Sequence, residues 1–438
     1  MSDIVKRQVL RIVFSAIADA PTIVIMTSTP VGRTVVLLAF VIGTSAAVPA
    51  KSQSRPLPDA PGTWKPWKPF AAIASARKEQ SATPALVKAF EGELLALNAI
   101  LRRATGVASP VGFSVETWGH LAGYRIAEHA PGQPGAGALP LAGALTFGAF
   151  PIFEYERNGK TIREDTGETA LQQFLVNQIG RGAIDRGNVS EWTSLDTDAF
   201  LKPMPQGEIA GFPRYGDGLI ITRDPEALWT PLSQRAALDL VTTARQTVVG
   251  EVEESVRVST ARLAVVRDPA YRAQRLKEAQ QGAATMPNPQ AFLKQIEASI
   301  DVEEQSLVKE LSPTGGTGKT LADAKRALSE VVDWMAELSA AQLAAPACYA
   351  ATGATLRSRF PTGAAPGCHP LVRPNYGYFD KTLPRSAPQV LIIAGISRCF
   401  DTADKSNRDA NAPSPAGCAA NRALVNTLDK TALRAWLR

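Results

Sequence analysis

Between Thr230 and Ala345 apolar side chains recur at spacings of three, four and seven residues, and no strand-like alternation interrupts them. Leu238, Val241, Val248, Val252, Val256 and Leu263 make one stripe, up to a break at Asp268-Pro269. Leu293, Ile296, Ile300, Leu307 and Leu311 make a second after Asn288-Pro289, and Leu321, Leu328, Val331, Met335 and Leu338 a third. Thr230-Pro231 with Ser233, and Asn288-Pro289, supply the capping residues and first-turn prolines that helix starts require. Three amphipathic helices bury their stripes most economically by packing antiparallel, as a bundle or a long hairpin. A cofactor inside such a bundle would call for inward carboxylates with Glu-x-x-His pairs. The sequence has no histidine between residues 130 and 368, so no cofactor is expected there.

The flanks follow a different period. Thr83-Pro84 opens a helix with Leu86, Phe90, Leu94, Leu97 and Leu101 on one face. From Val107 to Thr222 the pattern becomes glycine-rich and aromatic-rich with period two. GFSVETWGH reads as a strand. The segment around Phe153, Tyr155 and Arg157 reads as a hairpin turning at Asn158-Gly159, a pair that tolerates the positive φ of a tight turn. Residues 170 to 179 read as a further helix, and Gly218 to Thr222 as a strand. Near the C-terminus QVLIIAGIS is a continuous apolar run, as expected of a strand buried on both faces, and a closing helix carries Leu424, Leu428, Leu433 and Trp436. The expectation is an α+β fold: a mixed or antiparallel sheet from the N-terminal half plus a C-terminal strand, with an inserted long helical hairpin or bundle. Residues 71–229 and 347–438 form the α+β part and residues 230–346 the insertion.

The N-terminus points to export. Arg33 precedes the ten-residue apolar run TVVLLAFVIG, and TSAAVPA follows with small residues at Ser45, Ala47 and Ala50. These are the parts of a secretory signal peptide, and the run is too short to span a bilayer. Residues 1–50 are expected to be a leader, with the true start at Met26, cleavage after Ala47 or Ala50, and no stable membrane span afterwards. Residues 51–70 read as a proline-rich linker in which Trp64-Lys65-Pro66 repeats as Trp67-Lys68-Pro69. A period of three matches one turn of polyproline II and sets both indoles along one edge. There they can dock on a glycan or an envelope partner, or pack back on their own domain and pin the terminal segment.

Four cysteines, Cys348, Cys368, Cys399 and Cys418, fit an oxidising compartment. Three connectivities are open to them. The expected one is sequential, Cys348 with Cys368 and Cys399 with Cys418, each loop contributing about 3 kcal/mol by the chain-entropy account. Close pairs of the C-x-x-C kind are absent, so no metal site is expected.

TGGTGKT, residues 314–320, ends like a phosphate-binding loop, G-x-x-x-x-G-K-[ST]. Yet position 313 holds Pro313 where that loop needs glycine, and a helical stripe precedes it where that loop needs a strand. The expected role is a turn between two packed helices, with Thr320 as N-cap and Asp323 three residues on, and no nucleotide. The net charge of +6 includes no run of five or more basic residues, so nucleic acid is not an expected partner.

Neither G-x-S-x-G nor H-E-x-x-H occurs, and the chain has three histidines. A histidine mechanism would have to use His120, His129 with the adjacent Glu128, or His369 beside Cys368. Glu251, Glu253 and Glu254 lie on the polar side of a helix, where solvation accounts for them. The preferred functional expectation is an exported cell-envelope protein with a binding or structural role. The alternative is a periplasmic or secreted hydrolase whose histidine and carboxylate groups meet only in the fold.

Overall fold

The structure, a computed structural model, describes residues 55–438 apart from 123–138, 158, 166–169, 181–188, 193–194, 196, 285–286, 364 and 402–414. The expected leader therefore lies outside the described residues, as do His129 and Glu128. The strands are β1 (Arg55–Pro56), β2 (Phe113–Leu121), β3 (Gly143–Pro151), β4 (Phe153–Arg157), β5 (Lys160–Glu164), β6 (Ala170–Val176), β7 (Phe200–Leu201), β8 (Pro205–Ile209), β9 (Phe212–Tyr215), β10 (Gly218–Ile221), β11 (Trp229–Pro231), β12 (Cys348–Tyr349), β13 (His369–Pro374) and β14 (Leu391–Ala394). The helices are α1 (Ala74–Glu79), α2 (Pro84–Arg102), α3 (Gln234–Arg267), α4 (Pro269–Ala283), α5 (Pro289–Leu311), α6 (Gly316–Glu337), α7 (Ala340–Ala344), α8 (Leu356–Arg359), α9 (Ser397–Phe400), α10 (Pro415–Asn426) and α11 (Lys430–Trp436).

The main sheet has seven strands in the order β2-β3-β6-β14-β10-β9-β8, with all neighbours antiparallel. The α+β expectation holds, and the C-terminal strand enters the middle of the sheet. Its apolar run is explained by cover on both faces. Leu391 and Ile393 enter a core roofed by α2, α10 and α11, whereas Ile392 enters a second core with Tyr376, Phe379 and Trp229. Strand β10 divides the same way, Leu219 and Ile221 against Ile220.

Residues 170–176 correct one expectation, being strand β6 and not helix. Ala, Leu and Gln favour helices locally, but Phe174 and Val176 serve one core while Leu175 serves the other, a period-two demand that overrides propensity. The closing helix is also two helices, α10 and α11, separated at Thr427–Asp429 where Asp429 caps α11.

Residues 57–71 are not a free linker. They lie along the outer edge of β2, where the backbone N–H groups of Lys65, Lys68 and Ala71 donate to the carbonyls of Val115, Thr117 and Gly119. Donors recur every third residue, so Pro66 and Pro69, which have none, fall between them. The same period sends Trp64, Trp67 and Phe70 to the core side. Trp64 stands edge-to-face on Phe147 at 5.9 Å and donates its Nε1–H to the Val107 carbonyl at 2.8 Å. A Cβ on Gly119 would come within 3.0 Å of Trp67, Phe70 and Leu94, so glycine in β2 makes room for the strap.

The insertion is an arm. Helices α3 and α4 run out and α5 and α6 return antiparallel to α3, as the pairs Arg262–Glu303 and Lys325–Glu253 show. Ser233, Asp268 and Asn288 cap α3, α4 and α5. TGGTGKT does join two helices, but α6 begins at Gly316, with Gly315 as N-cap. Thr320 lies inside the helix and donates to the Gly316 carbonyl at 3.1 Å, which corrects its expected capping role. The glycines serve close approach: a Cβ on Gly318 would sit 2.3 Å from the Ser312 carbonyl oxygen, and Gly316 has φ +51°. Lys319 is paired with Asp323 at 2.7 Å, and the Glu310 carboxylate accepts from Thr317 in the first turn of α6.

Two substitutions at this connection should therefore differ sharply. Gly318→Ala should destabilise the arm by about 1–3 kcal/mol through overpacking against backbone. Lys319→Ala should leave the denaturation midpoint unchanged, because it removes only an exposed pair. Urea denaturation followed by circular dichroism checks both, and a larger loss from Lys319→Ala would refute the packing account.

Candidate functional site

Two polar clusters stand out. The first lies under the strap. Glu116 points to the opposite face of β2 from Val115 and Thr117, and Lys65 and Lys68 reach it from the strap. Lys65 Nζ lies 2.7 Å from Glu116 and 2.9 Å from Asp165, and also 5.6 Å over the Phe150 ring, while Lys68 lies 5.2 Å over Trp118. Burial alone pushes the Glu116 carboxyl up, but the two lysines outweigh it and hold the group below its ordinary 4.5. Asp165, beside Lys65 and Ser114, is likewise held below 3.8. A strap seals the sheet edge here, with tryptophans on one side and an ion cluster on the other.

These depressed carboxyls stabilise the folded state at neutral pH. The contribution is complete above their ordinary values and is lost as pH falls through the lower folded ones. Acid titration of stability should therefore show a loss beginning near 4.5 and continuing below 3.8. Glu116→Gln should cost about 1–2 kcal/mol at pH 7, a figure limited by the half-exposed Lys68, and should flatten that acid limb. An unchanged limb would refute the assignment.

The second cluster sits at the root of the arm. Tyr349 of β12 and Ser190 have their hydroxyl oxygens 2.8 Å apart, and Ser190 donates to Glu191 Oε2 at 2.9 Å. Arg359 of α8 donates to Glu191 Oε1 at 2.6 Å and to the Gly353 carbonyl at 2.7 Å. The floor is aromatic: Trp192 stacks on Phe360 at 5.7 Å, and Phe360 on Tyr349 at 5.3 Å. Arg245 of α3 reaches toward Glu330 of α6 at 3.7 Å and donates to the Ala327 carbonyl. Burial pushes the Tyr349 phenol up, with Glu191 adding to it. Burial also pushes Glu191 up, but Arg359, Tyr349 and Ser190 outweigh it and hold the carboxyl below 4.5. At neutral pH the phenol keeps its proton and the carboxylate is a weak base. Neither is poised to activate Ser190, since a general base works best with a pKa near the operating pH.

Neither described histidine bonds to this cluster. His120 is half-buried on β2, where burial lowers its pKa and favours the neutral ring. His369 is exposed on β13, in a different sheet, opposite Tyr349 in register. Cys368 is bonded to Cys348, and Cys399 to Cys418, as expected. Trp64 and Trp67 are half-buried on their own domain. Glu253 and Glu254 pair with Lys325 and Arg257 at the surface. Among the described residues, no group of three or more His, Cys, Asp or Glu side chains is placed to hold a metal ion. Ser190, Glu191, Tyr349 and Arg359 follow no periodicity and match no motif. The one sequence signal for them is the Cys348–Cys368 bracket, which tethers Tyr349 and Arg359 in a single loop.

Truncating Arg359 and neutralising Glu191 should differ in cost. Arg359→Ala leaves a carboxylate of 5 % side-chain exposure without its cation and should cost about 2 kcal/mol, less than for a fully dry pair because Arg359 reaches solvent. Glu191→Gln leaves a solvent-reaching arginine and should cost less. Equal losses in chemical denaturation would contradict the buried-pair assignment.

In comparisons with protein-family models, curated proteins and solved structures, nothing matches this chain.

Proposed function

We propose that the protein is exported to the cell envelope and acts there as a binding or scaffolding component, with the arm as its working surface and no role for a nucleotide. The arm's thin core carries this reading. Beyond the root residues Ala237, Leu238, Val241, Ala244, Val331 and Trp334, its buried apolar residues are Val266, Ala283 and Ile300, described residues only. Further out the stripe residues, such as Val252, Val256, Leu263 and Leu307, are only half-buried, and ion pairs, among them Arg262–Glu303, Arg267–Glu304 and Arg272–Asp301, flank them. A long extension that adds so little to the core earns its place through its surface, since exposed ion pairs contribute little stability. Export is supported by the signal-like leader and by two disulfides, which persist in oxidising compartments. Among the described residues no helix is long and apolar enough to cross a membrane.

The alternative, a hydrolase whose histidine and carboxylate groups meet in the fold, finds its nearest counterpart among the described residues in the hydroxyl chain from Ser190 to Tyr349 and Glu191, to which neither His120 nor His369 is bonded. The protonation states of that chain at neutral pH argue against it.

Excising residues 249–326 and joining α3 to α6 by a short turn should leave both disulfides and cooperative unfolding of the body intact. In the intact chain, photoreactive residues placed at the exposed positions Val258 and Val302 should form envelope cross-links above background. Cross-linking equal to background at both positions, or hydrolysis of ester, peptide or glycoside probes lost on Ser190→Ala, would overturn the proposal.

A further inference from the structure

The two disulfides have different surroundings. Cys399 and Cys418 are each 7 % exposed, held between α9 and α10 beside the main core. Cys348 and Cys368 are half-buried, on the short neighbouring strands β12 and β13. The segment they bracket grips the arm at both of its root helices. Gln234, the first residue of α3, donates its Nε2–H to the Phe360 carbonyl at 2.9 Å. Arg357 donates to Glu337 of α6 at 2.8 Å and lies 5.9 Å over Trp334 of the same helix. Arg359 and Tyr349 add the grip on Glu191 and Ser190. The segment is also held by burial of Tyr349, Leu356 and Phe360 in a core shared with Trp192, Leu232 and Leu371, while its backbone bonds include internal ones such as Ala350 N–H to the Arg359 carbonyl, and β12 pairs with β13 over two residues, Cys348↔Pro370 and Tyr349↔His369. With so short a ladder, the cross-link is the covalent tie that keeps the two ends of the clasp together.

We propose that Cys348–Cys368 is a redox-addressed clasp on the arm: a dithiol reductant opens it in the folded protein and loosens the arm root, whereas Cys399–Cys418 is purely structural. A thiolate of the reductant attacks the sulfur of one half-exposed cysteine and expels the other as a thiolate, which takes up a proton. The reductant's second thiol then resolves the mixed disulfide. The products are two cysteine thiols and the oxidised, cyclic reductant, a balanced transfer of two electrons and two protons. Opening removes the covalent restraint on the segment, so Gln234 and Glu337 of the arm root lose their fixed partners, the Phe360 carbonyl and Arg357. The chemistry is independent of what the arm binds; only its biological consequence rests on the arm being the working surface.

The test treats the full exported chain with graded dithiothreitol in native buffer, alkylates free thiols for mass mapping, and follows backbone hydrogen exchange in the same samples. Cys348 and Cys368 should label about tenfold or more faster than Cys399 and Cys418, since the buried pair must await wider opening. Exchange in residues 234–245 and 331–360 should rise by about tenfold while strands β3, β6 and β14 stay protected. Labelling of all four cysteines together, reduction only on global unfolding, or reduction without a change in exchange at the arm root would each overturn the proposal. The double variant Cys348→Ser with Cys368→Ser should reproduce the loosened exchange without reductant. If it does not fold, the clasp assignment fails as well, because a clasp must be dispensable for the body. None of these readouts uses a binding partner, so they remain decisive even if the arm proves to bind nothing.

Discussion

Everything in the body depends on β14 entering the sheet between β6 and β10. Asn177 fixes that entry. It lies just past β6, is fully buried, and adopts φ +55°, a left-handed conformation that asparagine tolerates better than most residues. Its Oδ1 accepts the N–H groups of Gln389 and Val390 at 2.8 and 3.2 Å, and its Nδ2 donates to the carbonyls of Leu141 and Ala387 at 2.9 and 3.0 Å. One amide thus joins the entrance to β3, the exit of β6 and the approach to β14, segments more than two hundred residues apart at the extreme. Because β14 carries side chains into both cores, its arrival completes two hydrophobic layers together.

That insertion also explains the chain's organisation. Strand β10 ends at Ile221 and its partner β14 begins at Leu391, so everything between them must leave the sheet and return to it. The arm is part of this excursion, together with the small sheet of β11, β13 and β12 that carries its root. Such a loop closure is long-range and slow to form, but each doubling of length adds only about 0.6 kcal/mol. A long insertion is therefore tolerated so long as the two paired strands find each other.

Legibility in the sequence followed the physics of each element. The arm helices were legible because their stripes and proline starts are local signals, and Asn158-Gly159 between period-two runs marked the β4–β5 hairpin for the same reason. Strand β6 was not, because its pattern reflects two cores that exist only after β14 is in place. The strap was half legible: its three-residue period was visible, but that period acquires meaning only beside β2, whose Gly119 leaves space for the indoles. The polar cluster at the arm root was legible only through its cysteines. Ser190, Glu191 and Arg359 are ordinary polar residues until Trp192, Phe360 and Tyr349 pack and bring them together, and His120 and His369, the residues a motif reader would choose, stand in separate sheets.

A thin arm places unusual weight on its root. Helix α3 has 34 residues, about 50 Å at 1.5 Å per residue, and its apolar contacts concentrate near the first three turns. The returning helices brace its outer length, and its contact with the body is made at the root, so the arm's direction is set where Ala237, Leu238 and Val241 meet Val331, Trp334 and Phe360. Geometry amplifies whatever happens there: a rotation of roughly 10° at the root displaces the far end of α3 by about 9 Å. The polar groups that fasten the root, Gln234 to the Phe360 carbonyl and Arg357 to Glu337, both belong to the disulfide-bracketed segment or to what it touches. Control over where the arm points therefore resides in a few side chains of the body, and a surface presented by the arm is positioned by residues distant from it.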